Sequence, residues 1–122
     1  MNRFTIGVAC ALVALFGVRE AVAQSRPLNA ASVNSSIVIT LGNTFQTALA
    51  AKANRQSITI QNNNTTTDNC WIFLGATASA TKGTSILLTP GSSYTRYFPY
   101  VPTDNIAATC VTTNDTLYID TQ

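Results

Sequence analysis

Short runs of β-forming residues, each ended by turn residues, constrain this chain more than any other feature of its sequence. The clearest run is 55–61, where Ile58 and Ile60 alternate with polar residues and therefore share one face of a strand. The opposite, outer face of this strand is expected to carry the polar members of the run, Arg55, Ser57, Thr59 and Gln61.

Further runs of the same kind follow one another at a spacing of about 8–12 residues. They lie at 37–41, 45–49, 70–74, 85–88, 92–98, 105–111 and 117–119. Only 48–53 offers an alternative, a single helical turn, because Ala and Lys favour helix. The sequence therefore predicts an all-β domain, an antiparallel β-sandwich of Ig-like or jelly-roll-like form with about 7–8 short strands, or a small barrel.

Two neighbouring segments of this pattern differ sharply in polarity. Residues 62–69 contain no apolar side chain, which is typical of a solvated loop, with a displayed recognition loop as the alternative. Residues 70–74 are almost continuously apolar, which predicts a strand covered on both faces. Within that strand, Trp71 is expected to pack in the core against a disulfide formed by its neighbour Cys70.

The N-terminal segment has the order of a secretory signal peptide. A positive start at Met1–Arg3 precedes the uncharged run 4–18, and Ala21–Ala23 forms a small-x-small site before Gln24. A membrane span needs roughly 20 apolar residues, and Arg19 interrupts the run too early for that. Cleavage between Ala23 and Gln24 is therefore expected, with a retained anchor as the alternative.

Removal of this leader, residues 1–23, divides the rest of the chain into two parts. Residues 24–35 are expected to form a flexible N-terminal arm, and residues 36–122 the β-sandwich domain. The mature protein is expected to be exported, to the periplasm or the extracellular space, with no stable membrane span after cleavage.

Export of the mature chain bears on the state of its cysteines. Cys10 leaves with the leader, so Cys70 and Cys110 remain as a pair in an oxidising compartment, where a disulfide is the expected state. Closing a loop of this length stabilises a domain by about 4 kcal/mol in the chain-entropy model. Two buried free thiols are the alternative.

The residues that most enzymes need are scarce. The chain has no histidine, so His-based nucleophilic triads and most His-ligated zinc sites are excluded, and its only glutamate, Glu20, lies in the leader. Beyond the leader, five cationic residues face four aspartates, and no basic stripe suggests nucleic acid. The sequence predicts no catalytic residue, no metal, no cofactor and no nucleic-acid partner.

One segment is a candidate binding surface. Aromatic rings beside an arginine anchor many protein interfaces and stack on sugars, and this combination occurs at Tyr94, Arg96, Tyr97 and Tyr100. The alternative is that Tyr94 and Phe98 fill the core, while Tyr97 and Tyr100 lie at an edge.

Three segments carry a resemblance to a known family: 50–62, with Asn54-Arg55-Gln56-Ser57 opening a strand, 88–94, with its Pro90-Gly91 turn, and 101–103. Together they resemble small phage-type β-sandwich proteins found in head-decoration and fibre-associated roles. The resemblance implies a non-enzymatic domain that attaches to a larger assembly, often in repeated copies, and a virion-surface location if the chain is phage-encoded. The leader and the cysteine pair depart from that family.

The expected function is therefore that of an exported, non-catalytic structural or decoration-like subunit that acts by surface contact. Its partner would be another protein or further copies of itself. The alternative is a secreted carbohydrate-binding or adhesion module that uses the aromatic segment, in which case Tyr97→Ala abolishes glycan binding.

Overall fold

The computed structural model describes residues 31–122 and is built from eight β-strands. The predicted signal peptide, its cleavage site and most of the predicted arm lie outside these residues. The strands are β1 (Val33–Val38), β2 (Gln46–Leu49), β3 (Ser57–Asn62), β4 (Cys70–Leu74), β5 (Ile86–Leu88), β6 (Ser93–Tyr97), β7 (Ile106–Cys110) and β8 (Thr116–Thr121). Two short 3-10 turns, Thr77–Ser79 and Lys82–Thr84, interrupt the loop before β5. Within this part of the chain, no helix is long and apolar enough to cross a bilayer.

The strands form two antiparallel four-stranded sheets, in the orders β1-β8-β3-β6 and β2-β7-β4-β5. Only β4 and β5 are consecutive strands of the same sheet, so every other connection passes from one sheet to the other. This arrangement confirms the predicted all-β sandwich. Residues 46–49 are strand, so the helical alternative at 48–53 is wrong.

Branched aliphatic side chains fill the space between the two sheets. Ile58 and Ile60 of β3 are fully buried, as their alternation predicted. They belong to one apolar cluster with side chains of the facing sheet, among them Ile72 and Ile106. Period-two alternation in strands of both sheets thus produces the single core that a sandwich requires.

The strand covered on both faces is β7 rather than β4. Every residue of β7 is buried, and the 3-10 turn at Thr77–Ser79 packs on it. The outward positions of β7 are Ala107 and Thr109, small residues that leave room for this overlying loop. In β4, only alternate residues are buried, so the prediction of a doubly covered strand at 70–74 is wrong for that segment.

Trp71 also differs from its prediction. Because successive side chains of a strand point to opposite faces, Trp71 lies on the outer face of β4, away from Cys70 and the core. There it is half-buried, and the Lys82 ammonium lies 4.1 Å from the centroid of its ring. Trp71 therefore contacts Lys82 of the overlying loop and does not pack in the core against the disulfide.

The first strand begins earlier than the sequence indicated. Val33 to Ser35 belong to β1, although the sequence assigned them to the N-terminal arm. All six residues of β1 pair with β8, in a register from Val33 opposite Thr121 to Val38 opposite Thr116. Pairing with a neighbouring strand, which the polar sequence of 34–36 does not reveal, extends the domain toward the N-terminus.

Cys70 and Cys110 form the predicted disulfide. They lie directly opposite each other on the neighbouring strands β4 and β7, with their Cα atoms 4.0 Å apart. The bridge therefore joins two strands within one sheet and does not connect the two sheets.

Candidate functional site

The most exposed aromatic side chains of the described region lie on a tight turn at the end of β6. We call residues 97–100 the aromatic turn. The Tyr100 amide donates a hydrogen bond to the Tyr97 carbonyl at 3.0 Å, and the Phe98–Pro99 peptide is cis. Tyr97, Phe98 and Tyr100 are 66%, 45% and 81% exposed, so three exposed rings flank Pro99 in the sequence.

The structure separates the four residues predicted as a binding surface. Tyr94 is buried and lies opposite Ile60 of β3, on the core-facing side of the sheet. Arg96 lies two residues further on the same side, with its guanidinium 4.8 Å from the centroid of the Tyr94 ring. Tyr97 and Tyr100 belong to the aromatic turn. Burial therefore removes Tyr94 from the candidates for surface contact, whereas Arg96 is exposed but held against the Tyr94 ring.

The alternative interpretation of this segment is correct in part. Tyr94 is a core residue, as it proposed, and Tyr97 lies in the edge strand β6, but Phe98 is not in the core. The turn begins immediately after Tyr97, which moves Phe98 out of the strand alternation that would have placed it inside. Burial raises the pKa of Tyr94 above its ordinary value, and the nearby Arg96 opposes that rise.

Backbone contacts from a neighbouring loop fasten the segment that follows the aromatic turn. Val101 is buried and serves as an apolar anchor directly after Tyr100. The Lys52 amide donates to the Thr103 carbonyl at 2.8 Å, and the Ala51 amide donates to Asn105 Oδ1 at 2.7 Å. The exposed rings are therefore carried by a segment that is held in place on one side.

Arg55 also holds the segment that follows the aromatic turn. Its Nη1 donates to the Pro102 carbonyl, and its Nη2 donates to the Ala50 carbonyl at 2.9 Å. The side chain is only 3% exposed, so the prediction that Arg55 lies on the outer polar face of β3 is wrong. Arg55 precedes the first residue of β3, and the strand alternation that was used to place it does not extend that far.

The chemistry of this arginine is unusual for a buried side chain. Both of its side-chain partners are neutral carbonyl oxygens, and its buried Nε has no hydrogen-bond partner in the described structure. Burial lowers the pKa of Arg55 below its ordinary value. A cation held in this way costs free energy that a fully satisfied group would not.

Asn62, at the opposite end of β3, is a second buried polar residue that the sequence did not identify. It was placed in a solvated loop, yet it is the last residue of β3 and fully buried. Its Nδ2 donates to the carbonyls of Asp68 and Leu88, each at 2.9 Å, and its Oδ1 accepts the Asn64 amide at 3.1 Å. A strand with period-two alternation that ends in an asparagine was the available signal.

The segments that carry the family resemblance meet in space. Arg55 of the first segment contacts Pro102 of the third, and Asn62 of the first contacts Leu88 of the second. The Gly91 amide also donates to the Asn62 carbonyl at 2.8 Å, at a turn where Gly91 has a φ of +77°. These residues therefore connect loops and strands to β3, which is a structural role.

A third polar cluster surrounds the disulfide. The sulfurs of Cys70 and Cys110 and a carboxylate oxygen of Asp115 all lie within 4.8 Å of one another. Asp115 accepts the Thr112 amide at 3.2 Å, and Asn64 Nδ2 donates to Cys70 Sγ at 3.4 Å. With both sulfurs joined to each other, neither is a thiolate ligand, and the carboxylate serves the turn between β7 and β8.

Comparisons with protein-family models, with curated proteins and with solved structures found no match to this chain. The resemblance to phage-type β-sandwich proteins therefore stays a prediction from the sequence motifs.

Proposed function

We propose that this protein is an exported, non-catalytic structural or decoration-like subunit that acts by surface contact on a larger assembly. The observation that carries the proposal is the aromatic turn, where Tyr97, Phe98 and Tyr100 are exposed beside a firmly held loop. Tyrosine is enriched among the residues that dominate binding energy at protein interfaces, because it buries a large area at a small cost in side-chain entropy.

The attachment of the turn matters for affinity. Ordering a loop on binding subtracts from the interaction energy, so a loop held beforehand binds more tightly. Arg55 and the amide of Lys52 connect the segment after the turn to the loop before β3. This preorganisation supports a recognition role for the rings.

The paired cysteines support the exported part of the proposal. The Cys70–Cys110 disulfide is compatible with a protein that reaches an oxidising compartment, where such bonds persist. The periplasm, the medium and a virion surface all satisfy this condition.

A secreted carbohydrate-binding or adhesion module is a second candidate, and the exposure of the same rings favours it. Sugar rings stack on exposed aromatic faces, and Tyr97, Phe98 and Tyr100 offer three. Within the segment itself, Arg96 is the only charged residue between positions 83 and 103.

The first experiment is native mass spectrometry, without reductant, of the protein recovered from the periplasm or medium of an expressing bacterium. We expect a chain that starts at Gln24, is two hydrogens lighter than the dithiol form and is present as a defined oligomer or complex. A full-length chain with free thiols, recovered in the membrane or cytoplasm, would refute the exported role.

The double variant Tyr97→Ala/Tyr100→Ala tests the contact surface. We expect it to lose capture of a partner protein, and to keep its Tm because both rings are exposed. Leu41→Ala is the matched control, since it removes another exposed apolar side chain outside the turn. A panel of immobilised neutral oligosaccharides, probed with the same three proteins, separates the two candidates: retention of the wild type and of Leu41→Ala, but not of the double variant, would favour the glycan-binding module.

A further inference from the structure

The four free edges of the two sheets are not equally protected. An open strand edge is a template for pairing with another chain, and proteins block such edges with short strands, irregular pairing or inward-pointing charges. β5 has only three residues, and β2 has four with a shift in its pairing to β7. Both are too short or too irregular to template a regular ladder.

The edge at β6 is blocked by Arg96. The Phe98 amide donates to the Gln56 carbonyl, and the Ser92 carbonyl accepts from the Asn62 amide, so even-numbered residues of this segment direct their backbone groups toward β3. The backbone groups of Thr95 therefore point to the open side. Arg96 points to the core-facing side of this edge strand, and its Nη1 donates to the Thr95 carbonyl at 3.0 Å. A charged side chain thus occupies the position that an added strand would need.

The edge at β1 has none of these devices. Its six residues, Val33–Val38, contain no charge, no proline and no break in register with β8. Five of the six are exposed. β1 is thus the longest and least protected edge strand in residues 31–122.

The hydrogen-bond pattern determines which backbone groups of β1 are available. The Ile39 amide donates to the Asp115 carbonyl at 2.8 Å, so alternate residues 33, 35 and 37 also direct their backbone groups to β8. Asn34 and Ser36 then present theirs to the open side. The Val38 carbonyl is already used, because it accepts a hydrogen bond from Gln46 Nε2 at 2.7 Å.

We propose that β1 is a self-association edge, which pairs antiparallel with β1 of a second copy and places Ser35 on the two-fold axis. This inference rests on the proposed function, in which the protein assembles with protein partners or copies of itself. The register follows from the available groups, because each Asn34 then exchanges both backbone hydrogen bonds with Ser36 of the second copy. A two-fold axis perpendicular to the sheet places odd-numbered residues opposite odd-numbered ones and even-numbered residues opposite even-numbered ones. If the axis passed through Ser36, Asn34 would have to bond with Val38 of the second copy, whose carbonyl already accepts a hydrogen bond from Gln46.

The side chains suit this register. Val33, which is 56% exposed, lies opposite Ile37 of the second copy on the core-facing side, so each pairing covers apolar surface on both copies. The two Ser35 side chains meet at the axis, where small uncharged groups allow the closest approach of a pair without direct hydrogen bonds. The product is a continuous eight-stranded sheet in the order β6-β3-β8-β1-β1-β8-β3-β6.

The first test places like charges on the axis. Ser35 is exposed, so Ser35→Lys is expected to fold normally, whereas a dimer would bring two ammonium groups into direct opposition. Sedimentation velocity over a concentration series should show a wild-type dimer and at least about tenfold weaker association in Ser35→Lys. Ser93→Lys, at an exposed position of the β6 edge, is the matched control and is expected to associate as the wild type does.

The second test reads the register directly. Cys70 and Cys110 already form a disulfide from directly opposed positions on antiparallel strands. Ser35→Cys should therefore form a symmetric intermolecular disulfide under mild oxidation, detected by peptide mapping. Asn34→Cys and Ser36→Cys should cross-link when mixed with each other and not when each is alone.

The outcomes separate this inference from the proposed function. A wild-type protein that stays monomeric at about 100 µM, far above the Kd of most specific complexes, would overturn the β1 dimer, even if Tyr97→Ala/Tyr100→Ala still abolished binding to another partner. Association that survives Ser35→Lys and fails in the aromatic-turn variant would also overturn it and would support the turn as the self-contact surface. If Tyr97→Ala/Tyr100→Ala keeps both its association and its capture of a partner, that result would count against the proposed function and not against the β1 dimer.

Discussion

The two ends of β3 hold buried polar residues in opposite ways. At the C-terminal end, Asn62 satisfies its amide group with three hydrogen bonds to backbone groups of other segments. At the N-terminal end, Arg55 is equally buried, yet it binds two carbonyls, leaves Nε without a partner and keeps a positive charge in a desolvated place. One strand thus connects a fully satisfied end to an incompletely satisfied one.

The difference follows what each end supports. The Asn62 end also carries the disulfide and the polar cluster with Asp115, and all of its groups join strands and loops of the sandwich. The Arg55 end carries the aromatic turn, where three rings face solvent. Proteins often keep costly, incompletely satisfied groups where the surrounding surface serves another purpose, and the Arg55 end is the one that carries the proposed contact surface.

The largest expected effect is at the stable end. Cys70→Ala/Cys110→Ala removes a cross-link over a separation of 40 residues, and we expect a loss of about 4 kcal/mol in the free energy of unfolding. Urea denaturation of the variant and of the oxidised wild type measures this difference. A loss below about 1 kcal/mol would mean that the Asn62 end does not depend on its disulfide.

A smaller effect is expected for Asn62→Leu, which keeps the volume of the side chain and removes its amide. The carbonyls of Asp68 and Leu88 and the amide of Asn64 then lose their partner, at an expected cost of about 3 kcal/mol. Asn63→Leu is the control, since Asn63 is exposed and adjacent in the chain. Equal Tm values for the two variants would show that Asn62 is not the connecting residue of this end.

Much of the sandwich was predictable because strand alternation and oxidised cysteines are local signals. Ile58 and Ile60 lie in the core, as their spacing predicted. Cys70 pairs with Cys110, the one other cysteine beyond the predicted leader. The start of β1 was not predictable, since its strand character comes from pairing with β8 and not from its own polar residues. Burial of Ala107 depends likewise on a loop that packs over β7.

The candidate site was predictable only as a segment of sequence. Aromatic composition indicated the segment in which exposed rings lie, but separating Tyr94 from Tyr97 required knowing which face of β6 lies toward the core. The burial of Arg55 could not be predicted from the sequence. Its partners are the carbonyls of Ala50 and Pro102, which lie in loops that come together only in the complete fold. Every residue has a backbone carbonyl, so residue types do not reveal which carbonyl will accept a hydrogen bond.

Arg55→Met sharpens the comparison by removing the charge and keeping an unbranched apolar stem. We expect a loss of no more than about 1 kcal/mol, because the lost hydrogen bonds are offset by relief of the buried charge. The aromatic turn should loosen all the same, so cleavage by chymotrypsin after Tyr100 should accelerate while the Tm changes little. Arg96→Met is the control, because Arg96 contacts Thr95 and Tyr94 and leaves the loop after the turn untouched.

The smallest expected effect comes from Tyr94, which lies in β6 between the two ends. Its pKa is raised by burial, so the folded protein holds the phenol proton at a pH where the unfolded chain has begun to lose it. The stabilisation from the neutral form is therefore complete below the ordinary pKa of 10.0 and is lost as the pH rises through the higher value of the folded state.

Unfolding of the wild type and of Tyr94→Phe at pH values from 8 to about 11 measures this contribution. We expect the wild-type free energy of unfolding to fall more steeply above pH 10 than that of the phenylalanine variant, which has no group to titrate at this position. Parallel pH profiles would show that Arg96, whose charge favours the phenolate, cancels the effect of burial. In that case Tyr94 would resemble Arg55, a buried side chain that keeps its charge, more than Asn62.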